Sequence, residues 1–211
     1  WNEGLYYFQN GRFKPLTKRD GLSDNAILTL FAGRERFLWA GTQSGGLNRV
    51  GPKKLSVYHV LEGNSEVQLR TLAQTTNGDL WLGTYGQGIY QWDRESFESV
   101  QDARVRAHLL VEAMTSARDG SLWWGAGPAL YRRKDGKVLE YYGDTPWLAS
   151  DRVWSLCEDR VEGIWVGTYN GKVGLLKQRK FTAQKGFSGK PVTSIVQAAD
   201  GTLWVGTLGG G

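Results

Sequence analysis

Apolar residues in this chain come in strand-length runs closed by glycine, without the three-and-four spacing of amphipathic helices. Runs at 27–31, 69–73, 111–115, 153–157 and 192–196 are each hydrophobic with a small polar interruption. Four lead into tight turns, Asn77-Gly78, Asp119-Gly120, Glu162-Gly163 and Asp200-Gly201, dipeptides suited to the positive φ angles of two-residue hairpins. The first departs, with Arg34-Glu35-Arg36 where the glycine is expected, which predicts a longer turn there. A second strand follows each turn, and then a glycine-rich loop leads to a third strand (46–49, 88–91, 129–132). A further hairpin, at Asn10-Gly11 or Asp135-Gly136, leads to a fourth strand around Phe13, Val57-Tyr58, Phe97, Tyr141-Tyr142 or Phe181. In chain order these are strands A, B, C and D.

Strand B carries the strongest signal. Trp39-Ala40-Gly41-Thr42 recurs as Trp81-Leu82-Gly83-Thr84, Trp123-Trp124-Gly125-Ala126, Trp165-Val166-Gly167-Thr168 and Trp204-Val205-Gly206-Thr207. The leading tryptophans are 42, 42, 42 and 39 residues apart, so the chain is an internal repeat. Four antiparallel strands in about 42 residues describe a β-propeller blade. The expected fold is all-β: one propeller region over residues 1–211, with five repeats read as four whole blades plus two half-blades. The units fall near 1–25 (partial), 26–60, 69–100, 109–142, 153–182 and 192–211 (partial). The framework tryptophans are expected between blades, and the glycine two residues later where neighbouring backbones approach closely. A solenoid of the same period would need helical segments, and the strand–turn pattern contains none. The leading C–D half and trailing A–B half could close a small ring, or the units could be an arc of a larger one. Opening on Trp1 rather than Met, the chain reads as a piece of a longer polypeptide, a fragment of a larger propeller.

Composition changes this picture little. Hydrophobic residues make up 40% and charged residues 22%, which argues against disorder, and no apolar run approaches the roughly 20 residues of a membrane helix. Twenty-nine glycines and ten tryptophans suit many tight turns between aromatic strands. Cys157 is the single cysteine, so no intrachain disulfide can form, and its apolar strand marks it as structural. The formal charge is +5. Much of it falls at C–D turns, on Arg12, Lys14, Lys53, Lys54, Arg132, Arg133, Lys134, Lys177, Arg179 and Lys180, a distribution too dispersed for a nucleic-acid surface. Solvated turn tips explain it, and an acidic protein partner is the alternative.

The run Gly21-Leu22-Ser23-Asp24-Asn25, the strand after it, Leu38-Trp39-Ala40-Gly41-Thr42 and Gly45-Gly46-Leu47-Asn48-Arg49 resemble the two-component regulator propeller repeat. The likeness covers essentially the whole chain. The third copy departs, with Ala126 for threonine and a loop shortened by one residue around Gly127-Pro128. The resemblance implies a sensor region of a membrane-anchored bacterial regulator, facing the periplasm. Its partners would be the remaining propeller blades, downstream signalling domains of the same chain and a second subunit of a homodimer. The ligand implied is an oligosaccharide or another small extracellular molecule.

Comparing units within the chain separates framework from variable positions. Twelve residues before the framework tryptophan stand Ile27, Leu69, Val111, Val153 and Val192, all apolar. Eleven before it stand Leu28, Arg70, Glu112, Trp154 and Thr193, which share no chemistry. Four after it stand Gln43, Tyr85, Tyr169 and Leu208, with Trp1 at the equivalent place of the leading unit. Aromatics at one loop position offer the flat faces on which sugar rings stack, while Arg70, Glu112 and Gln68 could bond hydroxyls. The candidate ligand-binding residues are therefore Trp1, Arg70, Tyr85, Glu112, Trp154 and Tyr169. Packing over blade junctions is the competing role for these aromatics. No catalytic residues, metal or cofactor are expected: His59 and His108 lie in different units without a matching carboxylate or cysteine cluster. A protein-interaction scaffold is the alternative function, and a streptogramin-lyase-like enzyme a weaker one.

Overall fold

The computed structural model describes residues 2–33, 37–52, 54–62, 65–92, 94–100, 102, 109–143, 145–148, 151–186 and 189–209. Trp1, the Arg34-Glu35-Arg36 turn, Lys53 and His108 lie outside the described residues. The chain opens with a hairpin of β1 (Leu5–Gln9) and β2 (Arg12–Leu16). The first four-stranded sheet is β3 (Ile27–Ala32), β4 (Leu38–Thr42), β5 (Leu47–Val50) and β6 (Leu55–Tyr58). A small hairpin that the repeat pattern did not foretell, β7 (Leu61–Glu62) with β8 (Ser65–Glu66), follows in the D–A connection. The second sheet is β9 (Leu69–Gln74), β10 (Leu80–Thr84), β11 (Ile89–Trp92) and β12 (Phe97–Ser99). The third is β13 (Val111–Ser116), β14 (Leu122–Ala126), β15 (Ala129–Lys134) and β16 (Lys137–Tyr141). The fourth is β17 (Val153–Glu158), β18 (Ile164–Thr168), β19 (Val173–Lys177) and β20 (Lys180–Ala183). The chain ends with β21 (Val192–Gln197) paired to β22 (Leu203–Thr207). Every pairing is antiparallel, and the sheets are those of four propeller blades and two half-blades.

Turn chemistry divides differently from the sequence expectation. Three of the C–D turns are true two-residue hairpins with both residues left-handed: Asn10 and Gly11 (φ 52 and 75), Asp135 and Gly136 (50 and 76), Gln178 and Arg179 (48 and 65). The A–B connections instead hold five residues, 75–79 between the paired Gln74 and Leu80 for example, and need positive φ only at their glycine. Asp and Ser side chains brace them: Asp119 accepts from the Ser121 N–H at 2.9 Å and from its hydroxyl at 2.6 Å.

The A strands of successive blades are neighbours, β3 beside β9, β9 beside β13, β13 beside β17 and β17 beside β21. Between blades lies the core. Trp39 packs with Leu69, Leu72, Leu80 and Leu82 of the next sheet, Trp81 with Val111, Met114 and Trp124, and Trp123 with Val153, Ile164 and Val166. Burial of these indoles is a main apolar gain of each junction. Trp165 is partly buried against Val192 and Ile195, with its indole N–H donating to Asp159 at 2.9 Å. Trp204 breaks the expectation of an inter-blade tryptophan. It is 66% exposed, and among the described residues β21–β22 has sheet neighbours only on the β17–β18 side.

The framework glycine has a defined task. A Cβ at Gly83 would stand 2.7 Å from Val111 Cγ1, and one at Gly41 would stand 3.1 Å from Leu69 Cβ. The apolar residue twelve before each tryptophan thus packs on the glycine of the preceding blade. Cys157 is half-buried, and burial pushes its thiol pKa up, in keeping with a structural role.

The face bearing the A–B and C–D turns is latched between blades. Arg118 donates to the carbonyls of Arg160 and Asp159 at 2.7 and 2.5 Å, and Arg160 repeats the reach into the next unit, to Gln197 and Ala198. Several basic residues noted above have acidic partners there, Arg132 with Asp119 at 2.5 Å and Lys177 with Glu162 at 3.1 Å.

Candidate functional site

On the opposite face the D–A and B–C loops form a rim, and one backbone bond recurs around it. The N–H four residues after the framework tryptophan donates to the carbonyl thirteen residues before it, in every unit. The pairs are Gln43 to Ala26, Tyr85 to Gln68, Gly127 to Leu110, Tyr169 to Arg152 and Leu208 to Pro191, at 2.9 to 3.3 Å. Below it the buried threonine of the motif closes the B–C loop. Thr42 and Thr84 donate their hydroxyls to the Gly46 and Gly88 carbonyls at 2.8 Å and accept from Gly45 and Gln87 at 3.0 Å. Thr168 accepts from Lys172 at 3.0 Å. Aspartates tie the two loops together: Asp24 accepts from the Ser44 N–H and Asp151 from the Asn170 N–H, both at 3.1 Å.

Strand A enters each blade through a β-bulge. The pairing skips Leu28, Arg70, Glu112, Trp154 and Thr193, while residues on either side pair in register. A bulged residue is released from the ladder and its side chain re-aimed, so this position is freed from framework duty. That accounts for its variability. The column twelve before the tryptophan is locked against the neighbouring glycine, and the column eleven before it is left out of the ladder by the bulge.

Five of the six candidate residues come together there. Glu112 Oε1 lies 3.9 Å from Arg70 Nη2 and 3.7 Å from Arg152 Nη1, one arginine from each flanking blade. The Glu112 side chain is only 3% exposed, and its Oε2 has no hydrogen-bond partner. Burial pushes its pKa up, while Arg152 and Arg70 pull it down and only partly offset that. The Arg70 guanidinium sits 5.6 Å from the Tyr85 ring centre. Trp154 and Tyr169 stack at 4.7 Å with planes 14° apart, and Arg152 lies against both rings, at 5.3 and 4.3 Å. Tyr85 is 52% and Tyr169 39% exposed. Trp154 therefore joins the rim aromatics as Tyr169's stacking partner. The sixth candidate, Trp1, lies outside the described residues.

Sequence comparison missed Arg152. Its column, Ala26, Gln68, Leu110, Arg152 and Pro191, varies as freely as the bulge column, and that signal could have exposed it. Among the described residues no group of three His, Cys, Asp or Glu side chains could hold a metal, and His59 is paired with Glu66.

The third blade, which carries Glu112, has no aromatic at its B–C loop. Its B–C loop is the shortened one, a Gly127-Pro128 turn between the paired Ala126 and Ala129, with glycine where its neighbours carry Tyr85 and Tyr169. The model of the two component regulator propeller matches residues 148–170 and 186–209, the rim loops and first strands of the last two units. These two units are thus similar in sequence to the two component regulator propeller. Each matched segment runs from the D–A loop through the bulge to the Trp-x-Gly-Thr strand. No curated protein matches the chain in sequence.

Solved structures share the propeller fold. The extracellular domain of one hybrid two component system from B. thetaiotaomicron superposes with a TM-score of 0.78 at 20% identity, over 98% of this chain and 28% of that one. A second such domain from the same organism gives 0.79 at 19% identity, over 96% and 29%. Virginiamycin B lyase from Staphylococcus aureus gives 0.76 at 14% identity, over 95% and 68%. The chain thus spans under a third of the length of the two-component domains its fold resembles.

Proposed function

We propose that this chain is part of the ligand-recognising propeller of a bacterial two-component-type sensor, that it is not an enzyme, and that it works outside the cytoplasm, in the periplasm. Its ligand is an extracellular oligosaccharide held at the rim. Its partners are the other propeller blades and signalling domains of the same protein, with a second subunit in a homodimer. The match of two of its units to the two component regulator propeller, and the similarity of its fold to extracellular domains of hybrid two component systems, support the sensor reading.

One observation carries the binding reading. Exposed aromatic rings and hydrogen-bonding groups from three successive blades converge on a single shielded carboxylate, Glu112, beside the shortened loop. Sugar recognition uses this combination of flat apolar faces with a few fixed polar groups. Calorimetric titration of the protein with a panel of oligosaccharides, repeated on Tyr85→Ala, tests it. Binding that weakens in the variant supports the proposal. Binding to no oligosaccharide, or binding indifferent to Tyr85, would sink it.

A further inference from the structure

Arg70 and Arg152 are placed as a charged pair without being used as one. Each lies near Glu112 at 3.9 or 3.7 Å, beyond hydrogen-bond reach, and neither guanidinium donates a hydrogen bond to any described residue. An ion triad that serves only the fold brings its guanidinium forks onto the carboxylate at hydrogen-bond distance, because desolvating three charges is otherwise uncompensated. Here the arginines lean on aromatic faces instead, Arg70 toward Tyr85 and Arg152 toward Tyr169 and Trp154. Such contacts orient a guanidinium and leave its N–H edge available. Their side chains are 30% and 38% exposed, so those edges are reachable from the rim.

The charges do not cancel. Two arginines against one glutamate leave the cluster with one net positive charge. The Glu112 carboxylate also keeps Oε2 without a partner although its side chain is 3% exposed. A buried carboxylate oxygen in that condition calls for a donor. The cluster therefore asks for two things side by side: an anionic group to take the N–H forks, and a hydroxyl to donate to Oε2. The shortened loop between these two arginines carries Gly127, with no side chain where its neighbours carry Tyr85 and Tyr169.

We infer that the oligosaccharide bound here is acidic, with its anionic group held between Arg70 and Arg152 and an adjacent hydroxyl donating to Glu112. A uronic acid carboxylate and a sugar sulfate ester share this chemistry. The inference rests on the oligosaccharide reading above and narrows it to a charge class.

The test titrates the protein with three four-sugar probes: tetragalacturonate for the uronate, a chondroitin sulfate tetrasaccharide for the sulfate ester, and neutral cellotetraose. At least one acidic probe should bind about tenfold or more tighter than cellotetraose, and less tightly as salt is raised. Arg70→Gln and Arg152→Gln should each remove that advantage, with thermal unfolding confirming that the variants fold. Arg152→Lys, which keeps the charge and loses the fork, should bind at an intermediate level and serves if a glutamine variant unfolds. The acidic probe that binds tighter identifies the source of the anion. Equal binding of acidic and neutral probes, weakened alike by Tyr85→Ala, would overturn the acidic inference and leave the oligosaccharide reading standing. Binding of none of the three would overturn both.

Discussion

Gly83 of the second blade lies under Val111 of the third, with Val111 Cβ 3.1 Å from where a Gly83 side chain would begin. Val111 is completely buried, so it has nowhere to retreat. Gly83→Ala should destabilise the protein by about 1–3 kcal/mol through overpacking. Combining it with Val111→Ala should give a loss smaller than the sum of the two, because each change makes room for the other. Strict additivity in chemical unfolding would show that the junction does not depend on this contact.

The framework tryptophans should divide by position. Trp81→Ala empties a site between two blades and should cost about 3–5 kcal/mol, including the Nε1–Thr75 hydrogen bond at 3.2 Å. Trp204→Ala, at the exposed end of the same series, should stay within about 0.5 kcal/mol in this chain. Denaturant titration of both variants compares them directly, and equal losses would contradict the inter-blade account.

Tyr85 is more than half exposed, and its backbone, not its ring, is what the loop holds. Tyr85→Ala should lower oligosaccharide affinity roughly three- to tenfold with little change in unfolding temperature. Tyr169→Ala should act on both, since its ring also covers Trp154. Calorimetry and thermal unfolding on the same samples separate these outcomes.

Asp119 and Glu112 should leave opposite marks on the pH dependence of stability. Burial disfavours the Asp119 carboxylate, but hydrogen bonds from Ser121 and Arg132 outweigh it and hold the pKa down to about 2 from 3.8. Its contribution is complete above the unfolded value of 3.8 and disappears as pH falls through about 2. Asp119→Asn should flatten the acid limb in that window. The raised pKa of Glu112 works the other way: stability present below 4.5 declines as pH rises through its higher folded value. Glu112→Gln should remove that decline. Unfolding midpoints measured from pH 2 to pH 7 read both slopes.

How much of this was legible depended on whether a residue's role repeats. Trp39, Gly41 and Thr42 do the same work in several units, so periodicity alone revealed the blades and the glycine contact. Glu112 and Arg70 were visible because they vary directly beside a column that is always apolar, Ile27, Leu69, Val111, Val153 and Val192. Their meeting across a blade junction was not, since it depends on which A strands adjoin and on a bulge that turns both side chains to the rim. Arg152 was hidden because it sits in the D–A loop just before its strand, outside the repeating strand pattern. The A–B turns misled for a local reason, since Asn77-Gly78 fits a two-residue hairpin by composition yet occupies a five-residue connection.

The recurring bond between the D–A carbonyl and the B–C amide requires nothing of either side chain. It accepts proline at the carbonyl end, as Pro191 shows, and glycine at the amide end, as Gly127 shows. It forbids only proline at the amide end, where the N–H would be missing, and Pro128 stands one residue past that point. The backbone of the rim is thus a fixed mount with interchangeable heads. A lineage, or an engineer, could exchange Arg152, Tyr85 and Tyr169 for other residues and change what is gripped while the mount keeps its shape.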